Sequence, residues 1–244
     1  MSVPQSAEGS VLGASRTAVP VDIESLAPPG ALLVIAPHPD DETLGCGQAL
    51  SAAAAAGRDI LLVLLTDGEA STPGKTPAER NRLVAQRLDE LRNALSLLAP
   101  GKRIRIERTR LPDGKSTPCD LAIDRAEELL VDARKMKVAA VWSTWRGDPH
   151  CDHQTAAIIG RRLAERLGVP FWTYPVWGRF GERPHPGELR LFADDSAALR
   201  KQSAMQCYRS QLDQTAPPAA GEFRMPPALV DHFATHPEIF FREF

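Results

Sequence analysis

The chain has 244 residues, enough for one large domain with its own core, and its 29 Lys and Arg nearly balance 31 Asp and Glu for a net charge of −2. That balance offers no basic field for nucleic acid, and no stretch approaches the roughly 20 apolar residues of a membrane span. Cys46, Cys119, Cys151 and Cys207 are scattered without a CxxC pair and predict reduced thiols in a cytoplasmic protein. Residues 1–27 mix Ser, Gly, Pro and acidic groups without the basic start and apolar stretch of a secretory signal. They read as a flexible arm ahead of a single domain, 28–244.

From there short β-branched or Leu-rich runs alternate with helical patterns. Strands are predicted at 31–36, 59–65, 103–108, 138–143 and 170–174, and helices at 43–56, 77–98, 120–136 and 153–167. The helix at 77 carries its own start signal, Thr76-Pro77-Ala78-Glu79, and Val84, Leu88, Leu91, Leu95 and Leu98 mark one buried stripe. Alternation of this kind predicts an α/β fold, a Rossmann-like three-layer sandwich with a mostly parallel sheet. Beyond Pro175 the pattern weakens. Gly178 to Pro186 is either a loop over a site or a surface excursion; a helix follows over about 195–212, then a Pro-rich stretch and a terminal Ile239-Phe240-Phe241 expected to dock on the core.

Two clusters carry chemistry. Val34-Ile35-Ala36 runs into Pro37-His38-Pro39-Asp40-Asp41-Glu42, and His150-Cys151-Asp152-His153 opens the helix after the 138–143 strand. Ligands collect at the carboxyl ends of the strands of an open parallel sheet, so the two clusters can meet there. A catalytic zinc takes three N or O ligands and keeps one position for a water whose pKa falls to about 7. His38, Asp41 and His153 would make that set. Asp40, turned away from Asp41 by the tight bend, would be the general base. His150 would face the same cavity as an imidazolium that stabilises an oxyanion and protonates the leaving amine. Asp152 would hold that ring or cap the helix, and Asp41 or Thr43 could instead serve as a cap for the helix near residue 43.

These segments, Ala36 to Glu42 with His150 to His153, resemble the PIG-L or LmbE-like family of zinc-dependent N-acetylglucosamine deacetylases. The resemblance extends through Thr66-Asp67-Gly68-Glu69, Arg87 to Leu91, Leu111-Pro112-Asp113-Gly114 and Lys201 to Tyr208-Arg209-Ser210-Gln211. It implies metal ligation by His38, Asp41 and His153, a base at Asp40, an electrostatic partner at His150, and sugar contacts from Arg87 and Asp113. For the last two, a solvated helix face and a Pro-Asp-Gly turn are the alternatives. Cys151 departs from the family, which often has proline there, and is expected to be an inert or oxidation-sensitive thiol. Trp142 to Trp145 stands where some members place a tyrosine. Trp145 and Trp177 either stack on a substrate or pack in the core.

The resulting expectation is a metal-dependent hydrolase, an N-deacetylase with Zn2+ or another divalent first-row metal. It would remove an acyl group, acetyl first, from a glucosamine-containing glycoconjugate by means of a metal-activated water. The substrate is small or lipid-linked, with no nucleic acid and no membrane span, and the oligomeric state is not encoded in any motif. Hydrolysis of another amide, such as a thiol conjugate, and carbohydrate binding without turnover are the alternatives.

Overall fold

A computed structural model describes residues 9–116, 120–185, 188–212 and 222–244. Cys119, Pro186, most of the Pro-rich stretch and the first eight residues of the expected arm lie outside them. In chain order the elements are α1 (Ser10–Ser15), β1 (Val19–Pro20), α2 (Ile23–Leu26), β2 (Ala31–Ala36), α3 (Asp41–Ala55) and β3 (Ile60–Leu64). Next come α4 (Pro77–Leu98), β4 (Arg105–Arg108), α5 (Asp120–Lys135), β5 (Val138–Thr144), α6 (Cys151–Leu167) and β6 (Phe171–Tyr174). The chain closes with β7 (Leu189–Phe192), α7 (Asp195–Met205), α8 (Arg209–Leu212), α9 (Pro227–Thr235) and β8 (Glu238–Arg242).

The described strands form one sheet of eight, in the order β1-β7-β8-β6-β5-β2-β3-β4. Pairing is parallel from β6 to β4, and β8 runs antiparallel to both its neighbours. Side chains alternate across the central strands. Leu32, Val34 and Ala36 face a core built with α3, α4, α7 and α9, while Leu33 and Ile35 face one built with α5 and α6. Both faces are covered, which gives three layers and explains why β2 and β3 read as continuous apolar runs.

The N-terminal expectation needs correction. Residues 9–27 are not a loose arm: Val11 is fully buried with Trp145, Ile239 and Phe241, Ser10 Oγ donates to Arg183 O at 2.6 Å, and β1 pairs with β7. Trp142 Nε1 also donates to Leu26 O at 2.8 Å. These partners lie far along the chain, so local composition carries no trace of them. The expected 195–212 helix also divides, because the chain turns at Cys207 and Tyr208 to aim the tyrosine at Glu42. The predicted capping box at Thr76 is present, and Leu88, Leu91, Leu95 and Leu98 are buried. No helix among the described residues is long and apolar enough to cross a membrane.

Candidate metal centre

The chain runs from β2 outward to β3 and β4, then returns to place β5 on the other side of β2. Strand order therefore reverses between β2 and β5, and the crevice at their carboxyl ends is where such sheets bind ligands. In register, Ile35 faces Ser143. The two sequence clusters leave these strands side by side.

His38 Nδ1 lies 3.1 Å from Asp41 Oδ2, and His153 Nε2 lies 3.3 Å from the same oxygen. The three residues form a group whose ligand atoms all fall within 4.8 Å of one another. Each ring is backed by a carboxylate. Asp148 Oδ2 accepts from His153 Nδ1 at 2.7 Å, while Asp152 Oδ2 at 3.0 Å and Asp113 Oδ1 at 3.2 Å take the proton on His38 Nε2. Fixing the outer protons leaves His38 Nδ1 and His153 Nε2 as lone-pair donors turned inward, the arrangement of metal-ligating histidines.

The fit can be tested on a single atom: His153 Nε2 is buried and makes no well-aligned hydrogen bond, its contact being the ion pair with Asp41 Oδ2 at 3.3 Å. Buried polar atoms are stabilised by well-directed partners, and a cation shared with Asp41 and His38 would give this nitrogen one. Electrostatics agree. Burial pushes His153 down, but Asp41 and Asp148 override it and raise it to about 9. Burial likewise works against the Asp41 carboxylate, yet His153 and His38 hold it well below the usual range. A proton and a metal compete for one place. A second group, His38, His150 and Asp152, is equally compact, but Asp152 is already saturated by Gly114 N, Ser116 N, Ser116 Oγ and His38.

Asp40 sits beside this set in a conformation rare for a side-chain-bearing residue, φ 139° and ψ −29°. Such backbone costs on the order of 1–3 kcal/mol and persists only where surroundings over-determine it. Here Arg87 does so, donating from Nη2 to Pro39 O at 3.0 Å and to Asp40 Oδ2 at 3.3 Å, and from Nη1 to Gly68 O at 3.0 Å. Glu42 Oε2 accepts from Asp40 N at 3.3 Å, and Oε1 takes the Tyr208 hydroxyl at 2.5 Å and Thr43 Oγ1 at 2.6 Å. Burial raises the Asp40 carboxyl to about 8 despite Arg87.

Several expected roles are changed by this geometry. Arg87 is 3% exposed, so it does not lie on a solvated face, and its guanidinium holds Asp40. Asp113 is spent on His38 and on Ala70 N, at 2.7 Å. For His150, burial, then His38 and His153, lower the ring to about 4, which works against the expected imidazolium. Its Nδ1 accepts from Asp152 N at 3.2 Å and so caps α6 itself, which leaves the ring proton on Nε2. Asp152 neither caps that helix nor holds the His150 ring, from which it stands 3.8 Å away; it orients His38. Trp145 is core, packed on Phe241 at 5.0 Å, and Trp177 is edge-on to Phe223 at 5.7 Å. Cys151 Sγ donates to Asp152 Oδ1 at 3.3 Å and is absent from both ligand groups.

Sequence reasoning missed Asp148 and Ser116. Asp148 also accepts from Val176 N at 3.1 Å and from Gly178 N, so it ties the start of the segment after β6 to the His153 ring. The signal was present: a ligating histidine needs a carboxylate or carbonyl behind it, and Asp148 is the acid directly ahead of the second cluster.

Fold and site together define an α/β protein with two imidazoles and one carboxylate that could hold a metal at the switch point of its sheet. The chain belongs to the PIG-L family, whose model, described as GlcNAc-PI de-N-acetylase, matches residues 33–164. It is 26% identical over 145 residues to the diacetylchitobiose deacetylase of Thermococcus kodakarensis, covering 57% of this chain and 51% of that protein. It is 28% identical over 159 residues to an Escherichia coli protein called uncharacterized deacetylase YaiS, covering 61% and 77%. The match to the first of these spans about half of its length. Among solved structures, the conserved protein TT1542 of Thermus thermophilus superposes with a TM-score of 0.64 at 23% identity, covering 88% of this chain and 95% of that one.

Proposed function

We propose that this protein is a zinc-dependent N-deacetylase acting on a glucosamine-type amide. The observation that carries the reading is the convergence of His38, Asp41 and His153, with the buried His153 Nε2 turned to Asp41 without a well-aligned hydrogen bond. The family description and the names of the two sequence relatives, each a deacetylase, support the amide as the bond attacked. His38 Nδ1, Asp41 Oδ2 and His153 Nε2 would hold the cation, for which two imidazoles and a carboxylate suit zinc. A cation held there supplies Lewis-acid polarisation of water and of the amide carbonyl.

The chain's own groups do the rest. Asp40 takes the proton of the attacking water; Arg87 keeps a positive charge against it so that the carboxylate form remains accessible despite burial. Glu42 and Arg87 fix its backbone, so the base does not reorient during the step. His150, neutral with its proton on Nε2, donates a hydrogen bond to the oxyanion that develops on the carbonyl oxygen. The proton gathered at Asp40 is then delivered to the amine nitrogen as the C–N bond breaks, which yields carboxylate and free amine.

Arg87 and Asp113 also hold internal partners, Asp40 and His38, so contacts to the leaving group can include further surfaces. This favours testing amides beyond N-acetylglucosamine. Acetate release from N-acetylglucosamine, N,N'-diacetylchitobiose and a panel of other N-acyl amides is measured on one sample before and after chelation and zinc restoration. Release that disappears with the metal and returns with zinc is expected. Asp40→Ala should keep zinc bound and lower turnover by roughly 10²–10⁴. Stoichiometric zinc with no hydrolysis of any amide refutes the enzymatic reading.

A further inference from the structure

Helix α3 is interrupted. At Cys46 the backbone leaves helical geometry, with φ −141° and ψ 24°, and two residues from remote elements fill the break. Glu238, on β8, accepts from Gln48 N at 2.7 Å and from Ala49 N at 2.9 Å. Lys201, on α7, donates from Nζ to Leu44 O at 2.8 Å and to Glu238 Oε1 at 2.7 Å. Residues 41–45 therefore end on an ammonium, and the helix resumes near Gly47 on a carboxylate. Each charge stands at the helical pole that favours it.

Both charged side chains are 0% exposed. A buried ion pair of this kind adds little stability over a well-packed apolar pair, because desolvation offsets its attraction. Its value here is geometric. The sequence yields helix propensity to make room for it, placing Gly45 and Gly47 on either side of Cys46. A Cβ on Gly45 would lie 2.2 Å from the Tyr174 ring, and one on Gly47 would lie 3.3 Å from Lys201 Cγ. Without the break, Asp41 would be carried on a single helix packed against α4, α7 and β8. With it, the turn that bears Asp41, Glu42 and Thr43 is set off from the rest of α3 by the kink at Cys46. Its far end is held by Lys201.

We propose that Lys201 and Glu238 are positioning residues of the metal centre: their ion pair, inserted in the break of α3, orients the turn that carries the Asp41 ligand. This role rests on the reading of His38, Asp41 and His153 as a metal set. Both residues lie beyond the family-matched span of 33–164, so the C-terminal part of the chain completes a centre whose ligands all precede it.

The test uses the full chain with Lys201→Met, Glu238→Gln and the double variant. Leu163→Ala, in the opposite core layer, is the control for lost stability alone. Zinc affinity is measured by chelator competition and ligand geometry by the absorption of the cobalt(II)-substituted protein, at a temperature where circular dichroism shows each variant folded. Glu238→Gln keeps the shape and one acceptor oxygen, so it decides the matter if Lys201→Met does not fold. Each single variant should lose roughly tenfold or more in zinc affinity and alter the cobalt spectrum, the double variant should be no worse than the singles, and Leu163→Ala should change neither reading. Wild-type affinity and spectrum in Glu238→Gln overturn the inference alone. A wild-type chain that binds neither metal overturns the centre and the inference together.

Discussion

Asn in place of Asp148 changes one atom behind a candidate ligand, and the structure allows the consequence to be worked through. The wild-type carboxylate is fully buried and accepts three N–H groups: His153 Nδ1 and Val176 N on one oxygen, Gly178 N on the other. An amide has only one acceptor oxygen. With its NH2 toward Gly178, one buried donor faces another and roughly 1–3 kcal/mol is lost. With its NH2 toward His153 and Val176, Val176 N is orphaned instead, and His153 Nδ1 must become an acceptor. The ring proton then moves to Nε2, the atom that faces Asp41, and the ring can no longer ligate. Either orientation is worse than the carboxylate. At about 2–4 °C per kcal/mol for a chain of this size, the thermal midpoint should fall by roughly 2–12 °C. Zinc affinity should fall roughly 10–100-fold. Scanning calorimetry and chelator competition measure the two, and the nitrogen shifts of His153 report the tautomer directly. An Asp148→Asn variant matching wild type in midpoint and zinc affinity would refute the reasoning.

Gly68→Ala should cost roughly 1–2 kcal/mol for an L-residue at φ +69°. It should lower turnover as well, because its Cβ would sit 2.1 Å from Arg87 Nη1 and displace the cation that holds Asp40; turnover unaffected by this change would remove Arg87 from that role. Asp194 caps α7, and acceptance from Ala197 N and Ser196 Oγ holds its carboxyl below the ordinary value. Its stabilisation is complete above the unfolded value of about 3.9 and is lost as pH falls through the lowered folded value. Asp194→Ala should thus cost about 0.5–2 kcal/mol at neutral pH, with the gap to wild type narrowing in acid; urea titrations in which the gap widens below pH 4 would contradict this. Cys151→Ser should leave zinc affinity unchanged, since the thiol bonds to Asp152 and not to the ligand set. A large loss by chelator competition would make Cys151 a ligand.

The layers, the parallel core and the two clusters that supply the candidate ligand triad are legible in the order of residues alone. Those features are written locally: apolar runs bounded by helix starts, and imidazoles and carboxylates packed into His38 to Glu42 and His150 to His153. Adjacent residues share one short stretch of backbone, so their proximity needs no folding to be known. What each neighbouring group does was settled by packing in three dimensions. Arg87 reads as a helix-face residue until α4 brings it under Asp40, and His150 reads as a cation until burial and two further rings lower its pKa. Asp152 turns to His38, Asp148 emerges behind His153, and residues 9–27 become part of the body. Lys201 and Glu238 meet within α3 only because β8 enters the sheet between β6 and β7. Charge states and hydrogen-bond partners depend on which distant groups share a buried space, and a linear pattern of residues does not contain that.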